Sequence, residues 1–299
     1  MHKSYLKDTV SDRIFLGVVI FVLIIITLII IYPLIFVVMA SFSNPLEVYQ
    51  NPLLLWPRGF NVYNYVEVLM EPNIWRGYLN SIFYTIAATF VGIVLTTFAA
   101  YPLSRKDFYG RNFFTFIFVF TMFFSGGLIP TFLVIRTLGM LNTIWAVIIP
   151  GSVSVFNIVI MRTYFQSQIP LEIQEAAAID GCNNIRILFN VVLPLSMPII
   201  MVLVLFYGAT QWNAYFGAMM FLTDHSLFPL QLVLRDFLIL NQLDNLLTAV
   251  IDEGHFERLI AREGMKFAIV VVSSVPLLAL YPFLQKFFEK GILVGALKG

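Results

Sequence analysis

Charge is scarce in this 299-residue chain: Asp, Glu, Lys and Arg make up 12% of it, against 60% hydrophobic residues. Mean hydropathy is +0.88. A soluble domain carries about a quarter charged residues, so a soluble fold is excluded. The formal net charge of +1 and the want of any Lys/Arg-rich run give no reason to expect nucleic acid. Cys182 is the single cysteine, which rules out an intrachain disulfide, and it lacks the neighbours of a metal site. Three histidines, at 2, 225 and 255, form no ligand set. There is no G-x-x-x-x-G-K-[ST] phosphate loop and no Gly-Lys pair at all, so the chain has no usual ATP site. G-x-S-x-G, H-E-x-x-H and a carboxylate pair within an apolar stretch are equally missing, which argues against hydrolysis or intramembrane proteolysis. Ionisable groups are few inside the apolar stretches, whereas proton- or sodium-coupled pumps usually keep them there.

What is present is long apolar runs. Runs of 18 or more mostly apolar residues predict six spans, at 14–40, 78–103, 113–135, 144–161, 195–222 and 267–288. The first has the basic start of a signal peptide, but it exceeds the length needed for a hydrocarbon core of about 30 Å and is expected to stay as a helix. The fold class expected is all-α, a polytopic membrane protein with a single transmembrane domain over 1–299, since no linker, low-complexity tract or internal repeat divides it. Six spans put both termini on one side. Segments 1–13, 104–112, 162–194 and 286–299 hold 11 Lys/Arg against 7 Asp/Glu, while 41–77, 136–143 and 223–266 hold 7 against 10. The positive-inside bias places the termini and the 162–194 loop in the cytoplasm.

That loop carries the most information. Glu175-Ala176-Ala177-Ala178-Ile179-Asp180-Gly181 reads as a short amphipathic helix: the alanines favour helix, Pro170 suits the first turn, and Gly181 stands where a helix end needs a left-handed residue. A second short helix, Asn183 to Phe189, can fold back, and Val191-Val192-Leu193-Pro194 follows. Such a hairpin has too little apolar surface for a core of its own, so its alanine face is expected to be covered by another protein. The spacing resembles the Glu-Ala-Ala loop of bacterial ABC importer permeases, by which they plug into a groove on their ATPase, with Val191 where Ile is usual. The resemblance extends over almost the whole chain. Tyr281-Pro282-Phe283-Leu284-Gln285-Lys286-Phe287-Phe288, Lys290-Gly291 and Gly295-Ala296-Leu297-Lys298-Gly299, with Gly126-Gly127-Leu128-Ile129-Pro130 and Gln211-Trp212-Asn213-x-Tyr215, look like carbohydrate-uptake permeases akin to the maltose permease, most of all the complex-oligosaccharide, aldouronate-type subgroup.

The resemblance implies a type I ABC importer permease fold in the bacterial cell membrane. It implies a second, different permease subunit, two ATPase subunits, an extracellular solute-binding lipoprotein and an oligosaccharide or polysaccharide fragment as substrate. No cofactor belongs to this chain; ATP and Mg would be bound by the ATPase subunits. Coupling residues implied are Glu175, Ala176, Ala177, Asp180, Gly181, Leu193 and Pro194, and the tail is implied to enter the cleft between ATPase subunits.

The residues also suggest a substrate path. Pro130 lacks a donor and its ring would clash with the Gly126 carbonyl, so the third span is expected to kink or break past the bilayer middle. A break there, with Gly126, Gly127 and Pro130, either lines a cavity or lets a neighbouring helix approach closely. In the fifth span, Tyr207, Gln211 and Tyr215 fall at i, i+4 and i+8, a stripe expected to face water or sugar. Trp212 lies roughly 27 Å beyond Pro194 on a straight helix and reads either as a sugar contact or as an interfacial belt residue. Asn213 and Tyr215 are nearly opposite on such a helix, so sharing a cavity requires distortion near Gly217. Outside the spans, Val62 to Met70 and Pro229 to Arg235 are apolar-rich pieces that either meet a binding protein or lie on the bilayer. Two functional classes remain: an importer half, with peptide or phosphate as other solutes, and a non-transporting scaffold or sensor that holds an ATPase.

Overall fold

The computed structural model describes residues 9–51, 53–237, 264–279 and 282. Every regular element among them is helical. They fall into two compact units, one of residues up to 70 with 237–272, the other of 71–236 with the residues from 273 onward.

In the first unit, α1 (Val10–Ser41) begins at a capping box: Thr9 Oγ1 accepts the Asp12 N–H at 3.2 Å, and the Asp12 carboxylate accepts the Thr9 N–H at 2.9 Å. Apolar side chains from Ile14 to Val38 are exposed along it. Outside a membrane that surface would be unstable; in lipid or against another apolar helix it is satisfied. The helix ends in a polar knot. Ser41 Oγ lies 2.7 Å from the Tyr65 hydroxyl, Asn64 Nδ2 donates to the Ser41 carbonyl at 3.3 Å, and Ser43 Oγ accepts the Arg58 N–H at 3.0 Å. This knot holds α2 (Pro45–Gln50) and α3 (Tyr63–Met70) at the end of α1. The Val62–Met70 piece is helical from Tyr63 on.

In the second unit, α4 (Pro72–Ser104) is the central element. Its buried positions, Gly77, Ser81, Tyr84, Ala88, Gly92, Thr96, Ala100 and Leu103, recur every three or four residues as one stripe, small along most of its length. Small residues let backbones approach, and α8 (Val155–Gln168) and α12 (Met197–Trp212) pack along α4. Around them lie α5 (Arg111–Phe123), α6 (Leu128–Thr137), α7 (Trp145–Ile148), α9 (Leu171–Ile179), α10 (Asn184–Ile187), a π turn (Leu188–Val192), α11 (Leu193–Leu195), α13 (Phe216–Phe221), a helix at 230–237 (α14) and residues 273–279 of a helix over Gly264–Ala279 (α15).

The spans differ from their expected form. Only α1 and α4 are single helices long and apolar enough to cross a membrane among the described residues, with up to four crossings if each bent pair is one span. The 113–135 run is α5 and α6, bent by 111°. The 144–161 run divides into α7 and α8 around a turn at 149–154 in which Gly151 takes a φ of +80°. The 195–222 run bends by 82° where α11 meets α12 and stops again after Trp212. Of the 267–288 run, α15 reaches Ala279; Tyr281 and residues 283–299, including the tail, lie outside the described residues.

Candidate functional site

The first half of the loop between α8 and α12 folds as expected from its residues. Helix α9 follows Pro170 and ends at Asp180. Gly181 has a φ of +82°, its N–H donates to the Ala178 carbonyl and the Cys182 N–H donates to the Ala177 carbonyl, each at 3.0 Å. These two bonds are the pair that closes a helix on a left-handed glycine. Asn183 then caps α10, its Oδ1 accepting the Arg186 N–H at 2.8 Å. The second helix is longer than expected: α10 runs through the π turn and α11 into the bend at Ser196, whose Oγ donates to the Val192 carbonyl at 2.7 Å.

This geometry turns one face of the hairpin inward and leaves the other bare. Ile187, Leu188 and Val192 are buried in a core with Ala100, Leu103, Met161 and Phe165, and Ala177 packs against it. Glu175, Ala176, Asp180, Gly181 and Pro194 are exposed, while Leu193 is half-buried. Ile179 is 87% exposed, and Leu171, Ile173, Ile185 and Phe189 are exposed beside it. The hairpin is also tied to the end of α4: Arg105 donates to Gln174 Oε1 at 3.3 Å, and its Nε and Nη2 grip both Asp107 oxygens at 2.8 Å. The Asp107 carboxylate holds the Arg105 guanidinium well above its ordinary value, and Arg105 holds the Asp107 carboxyl below its own.

The path residues divide. The break in the third span runs from Phe124 to Gly127, all exposed, with Gly127 at φ +84° and ψ −179°. Pro130 does not kink a helix interior. It sits in the first turn of α6, where a missing N–H costs nothing, and Gly126, four residues back, lies in the break and not in a helix. The fifth-span stripe does not form. Tyr207 and Trp212 are 6% and 4% exposed within this chain alone, and added subunits can only bury them further. The Tyr207 hydroxyl lies 2.6 Å from Thr96 Oγ1 and accepts the Ser154 N–H at 3.1 Å. Trp212 Nε1 donates to the Ser273 carbonyl at 3.2 Å, and its ring meets Tyr78 edge-on at 5.8 Å. Gln211 is half-buried and reaches the Val147 carbonyl at 3.4 Å. Asn213 and Tyr215 are exposed, because the helix ends at Trp212. The condition for Asn213 and Tyr215 to share a cavity was a distortion near Gly217; the helix is instead interrupted at 213–215, and Gly217 lies inside α13. The helices that follow the two breaks are joined, Phe132 of α6 stacking on Phe221 of α13 at 6.3 Å beside Ile135 and Ala146.

Sequence reading passed over Thr85 and Thr89. Their hydroxyls are buried without a hydrogen-bond partner among the described residues, beside an apolar cleft of about 690 Å³ between α4, α12 and α15. Nothing in their spacing distinguishes them from threonines that bond their own helix.

Residues 88–294 match the family described as binding-protein-dependent transport system inner membrane component. The chain is similar to the polygalacturonan/rhamnogalacturonan transport system permease protein YtcP of Bacillus subtilis, 39% identical over 98% of this chain and all of that one. It is similar to protein LplC of the same organism, 39% identical over 90% of each. Among solved structures, a bacterial ABC transporter involved in import of the acidic polysaccharide alginate contains a chain with a TM-score of 0.82 at 34% identity, covering 94% of this chain and 98% of that one. The chain belongs to the family of binding-protein-dependent transport system inner membrane components, the permease subunits of ABC importers.

Proposed function

We propose that this chain forms half of the translocation pathway of an ATP-driven importer for an oligosaccharide or polysaccharide fragment. A second, different permease subunit supplies the other half, two ATPase subunits hold and hydrolyse ATP with Mg, and an extracellular solute-binding lipoprotein delivers the solute. The relatives support the substrate class: one is named for polygalacturonan and rhamnogalacturonan, another, AraQ of Halalkalibacterium halodurans at 28% identity, for arabinooligosaccharides. No observation favours a scaffold, a peptide or a phosphate.

The observation that carries the coupling role is the bare face of α9. A helix with Ile179 at 87% exposure, joined to exposed Ile185 and Phe189, requires a cover. With the termini and this loop in the cytoplasm, an ATPase groove meets it. Closure of the ATPase pair then moves α9, and Arg105–Gln174 and the continuous α10–α11 segment carry the push to α4 and α12. Residues 1–299 work as one permease domain in this reading. The exposed break at Gly126, Gly127 and Pro130, with Asn213 and Tyr215, lines the path, Gln211 stands at its margin, and Tyr207 and Trp212 brace the helices behind it.

The test is the full complex in vesicles, with solute uptake and binding-protein-stimulated ATP hydrolysis measured together. Glu175→Lys reverses the charge offered to the groove and is expected to lower both or to release the ATPase, since losing one partner of a buried pair costs roughly 2–5 kcal/mol. Wild-type ATPase retention and uptake in that variant overturns the coupling assignment.

A further inference from the structure

The segment between α4 and α5 carries three of the chain's cations within seven residues, Arg105, Lys106 and Arg111. Arg105 is extended and ends α4; Gly110, at a φ of +82°, starts α5 and has no side chain with which to cap its first turn. The turn folds this segment beside the C-terminal half of α8 and the start of α9, and the three elements enclose a cleft of about 410 Å³. Its wall presents Arg105, Lys106, Arg111 and Arg162 against a single carboxylate, Asp107.

That carboxylate is already occupied, because both of its oxygens are held by Arg105 at 2.8 Å. No ion pair among the described residues includes Lys106, Arg111 or Arg162. Arg162 donates one N–H to the Leu103 carbonyl at 3.0 Å, which fixes its guanidinium but leaves its charge unbalanced. Burial first, and then the facing Arg111, push the Arg162 guanidinium below its ordinary value. Like charges gathered in a cleft backed in part by apolar side chains, here Phe165, Ile169 and Leu171, concentrate the field inside it. A compact anion with several acceptor oxygens relieves that repulsion and matches guanidinium forks. The cleft opens where two apolar helices, α4 and α5, meet a polar turn, the level of a lipid headgroup, and basic pockets at such places take phosphate headgroups.

We propose that this cleft binds a phosphate-bearing anion, the headgroup of an acidic phospholipid or free phosphate of the same chemistry, and that its occupancy steadies the root of α9. Leu171 and Gln174 of α9 line the cleft, and Gln174 is the residue that Arg105 holds. An anion drawing Lys106, Arg111 and Arg162 together closes α4, α8 and α9 around one point. Only the leaflet, the inner one, rests on the orientation proposed above.

The experiment uses the full complex in neutral detergent, titrated with phosphatidylglycerol, phosphatidylcholine or inorganic phosphate and read by native mass spectrometry and thermal unfolding. Wild type is expected to retain phosphatidylglycerol over phosphatidylcholine. Lys106→Gln with Arg111→Gln should weaken that retention by about tenfold or more, and Arg111→Lys should keep most of it. Lys106 is exposed and Arg111 half-exposed, so neither change removes a core contact. If phosphatidylglycerol shows no preference but millimolar phosphate raises the unfolding temperature of wild type and not of the double variant, the site stands with free phosphate as its source. Equal binding by wild type and double variant, or binding of neither probe by wild type, overturns it. A complex inactive in transport still reports lipid retention, so failure of the importer reading is distinguishable from failure of this one.

Discussion

Thr96 and Tyr207 are joined by a hydrogen bond of 2.6 Å between two hydroxyls that stand 111 residues apart in the chain. Thr96 is fully buried, and the same Tyr207 oxygen accepts the Ser154 N–H, so one hydroxyl fastens α4, α12 and the first turn of α8. In a bundle whose surroundings are lipid, packing of small residues and such interhelical bonds replace the hydrophobic drive of a soluble core. Three helices tied at one oxygen move together, which suits a body that must transmit displacement rather than absorb it.

Tyr207→Phe keeps the ring and removes the bond. Thr96 Oγ1 and the Ser154 N–H are then left without their partner, at a cost of about 1–3 kcal/mol. The expected result is a lower unfolding temperature of the assembled complex with uptake per complex unchanged. A loss of uptake without loss of stability would put Tyr207 back on the path.

Gly92 makes the same junction possible. A Cβ there would overlap the Ser152 carbonyl oxygen and come within 3.2 Å of the Tyr207 ring. Gly92→Ala is expected to destabilise by about 1–3 kcal/mol, as overpacking does, whereas Gly17→Ala, with no atom within 4 Å, should be neutral or better. Chemical denaturation of both variants checks the contrast.

Gly181 is required for its backbone and not for space. Nothing lies within 4 Å of a Cβ at that position, yet its φ is +82°. Gly181→Asn, which tolerates the left-handed region, should retain coupled ATP hydrolysis. Gly181→Val, β-branched, should lose most of it and loosen the hairpin. Equal coupling in the two variants would show that the turn has no part in docking.

The α9 hairpin was legible because its signals are local: alanines, a left-handed glycine and a capping asparagine act within a few residues. The apolar runs were legible as runs, and the break in the third was expected from Pro130, although Gly127, at a φ of +84°, is the residue that turns the chain there. The stripe of Tyr207, Gln211 and Tyr215 was not, because helical spacing says which residues share a face but not what that face meets. It assumed one straight helix through Tyr215, while α12 stops after Trp212. The polar partners of Tyr207 and Trp212 are Thr96, Ser154 and Ser273, none near them in sequence. Pairings of that separation leave no periodic trace. The basic cleft escaped for the same reason, Arg162 being 57 residues from Arg105.

Thr89→Val tests the apolar cleft beside α12. The Thr89 Oγ1 is buried without a partner among the described residues, and an unpaired buried hydroxyl is costly. The nearly isosteric Val is expected to leave stability unchanged or to raise it by up to about 1 kcal/mol. A clear loss in the assembled complex would reveal a hydrogen-bond partner contributed by another subunit.

Trp212 decides how far the path extends. Its ring is packed against Tyr78 and its N–H is committed to Ser273, so Trp212→Ala should lower the stability of the complex by about 3–5 kcal/mol, as large core truncations do. Trp212→Phe should cost less, because it retains the ring contact and loses the bond. Uptake normalised to assembled complex should stay at the wild-type level in Trp212→Phe, while Tyr215→Ala, exposed at 42% just past the helix end, should reduce normalised uptake and spare stability. The opposite pattern, with Trp212→Phe cutting flux and Tyr215→Ala silent, would mean that α12 opens during transport and brings the indole to the solute. Thermal unfolding and normalised uptake on the same preparations separate the two outcomes.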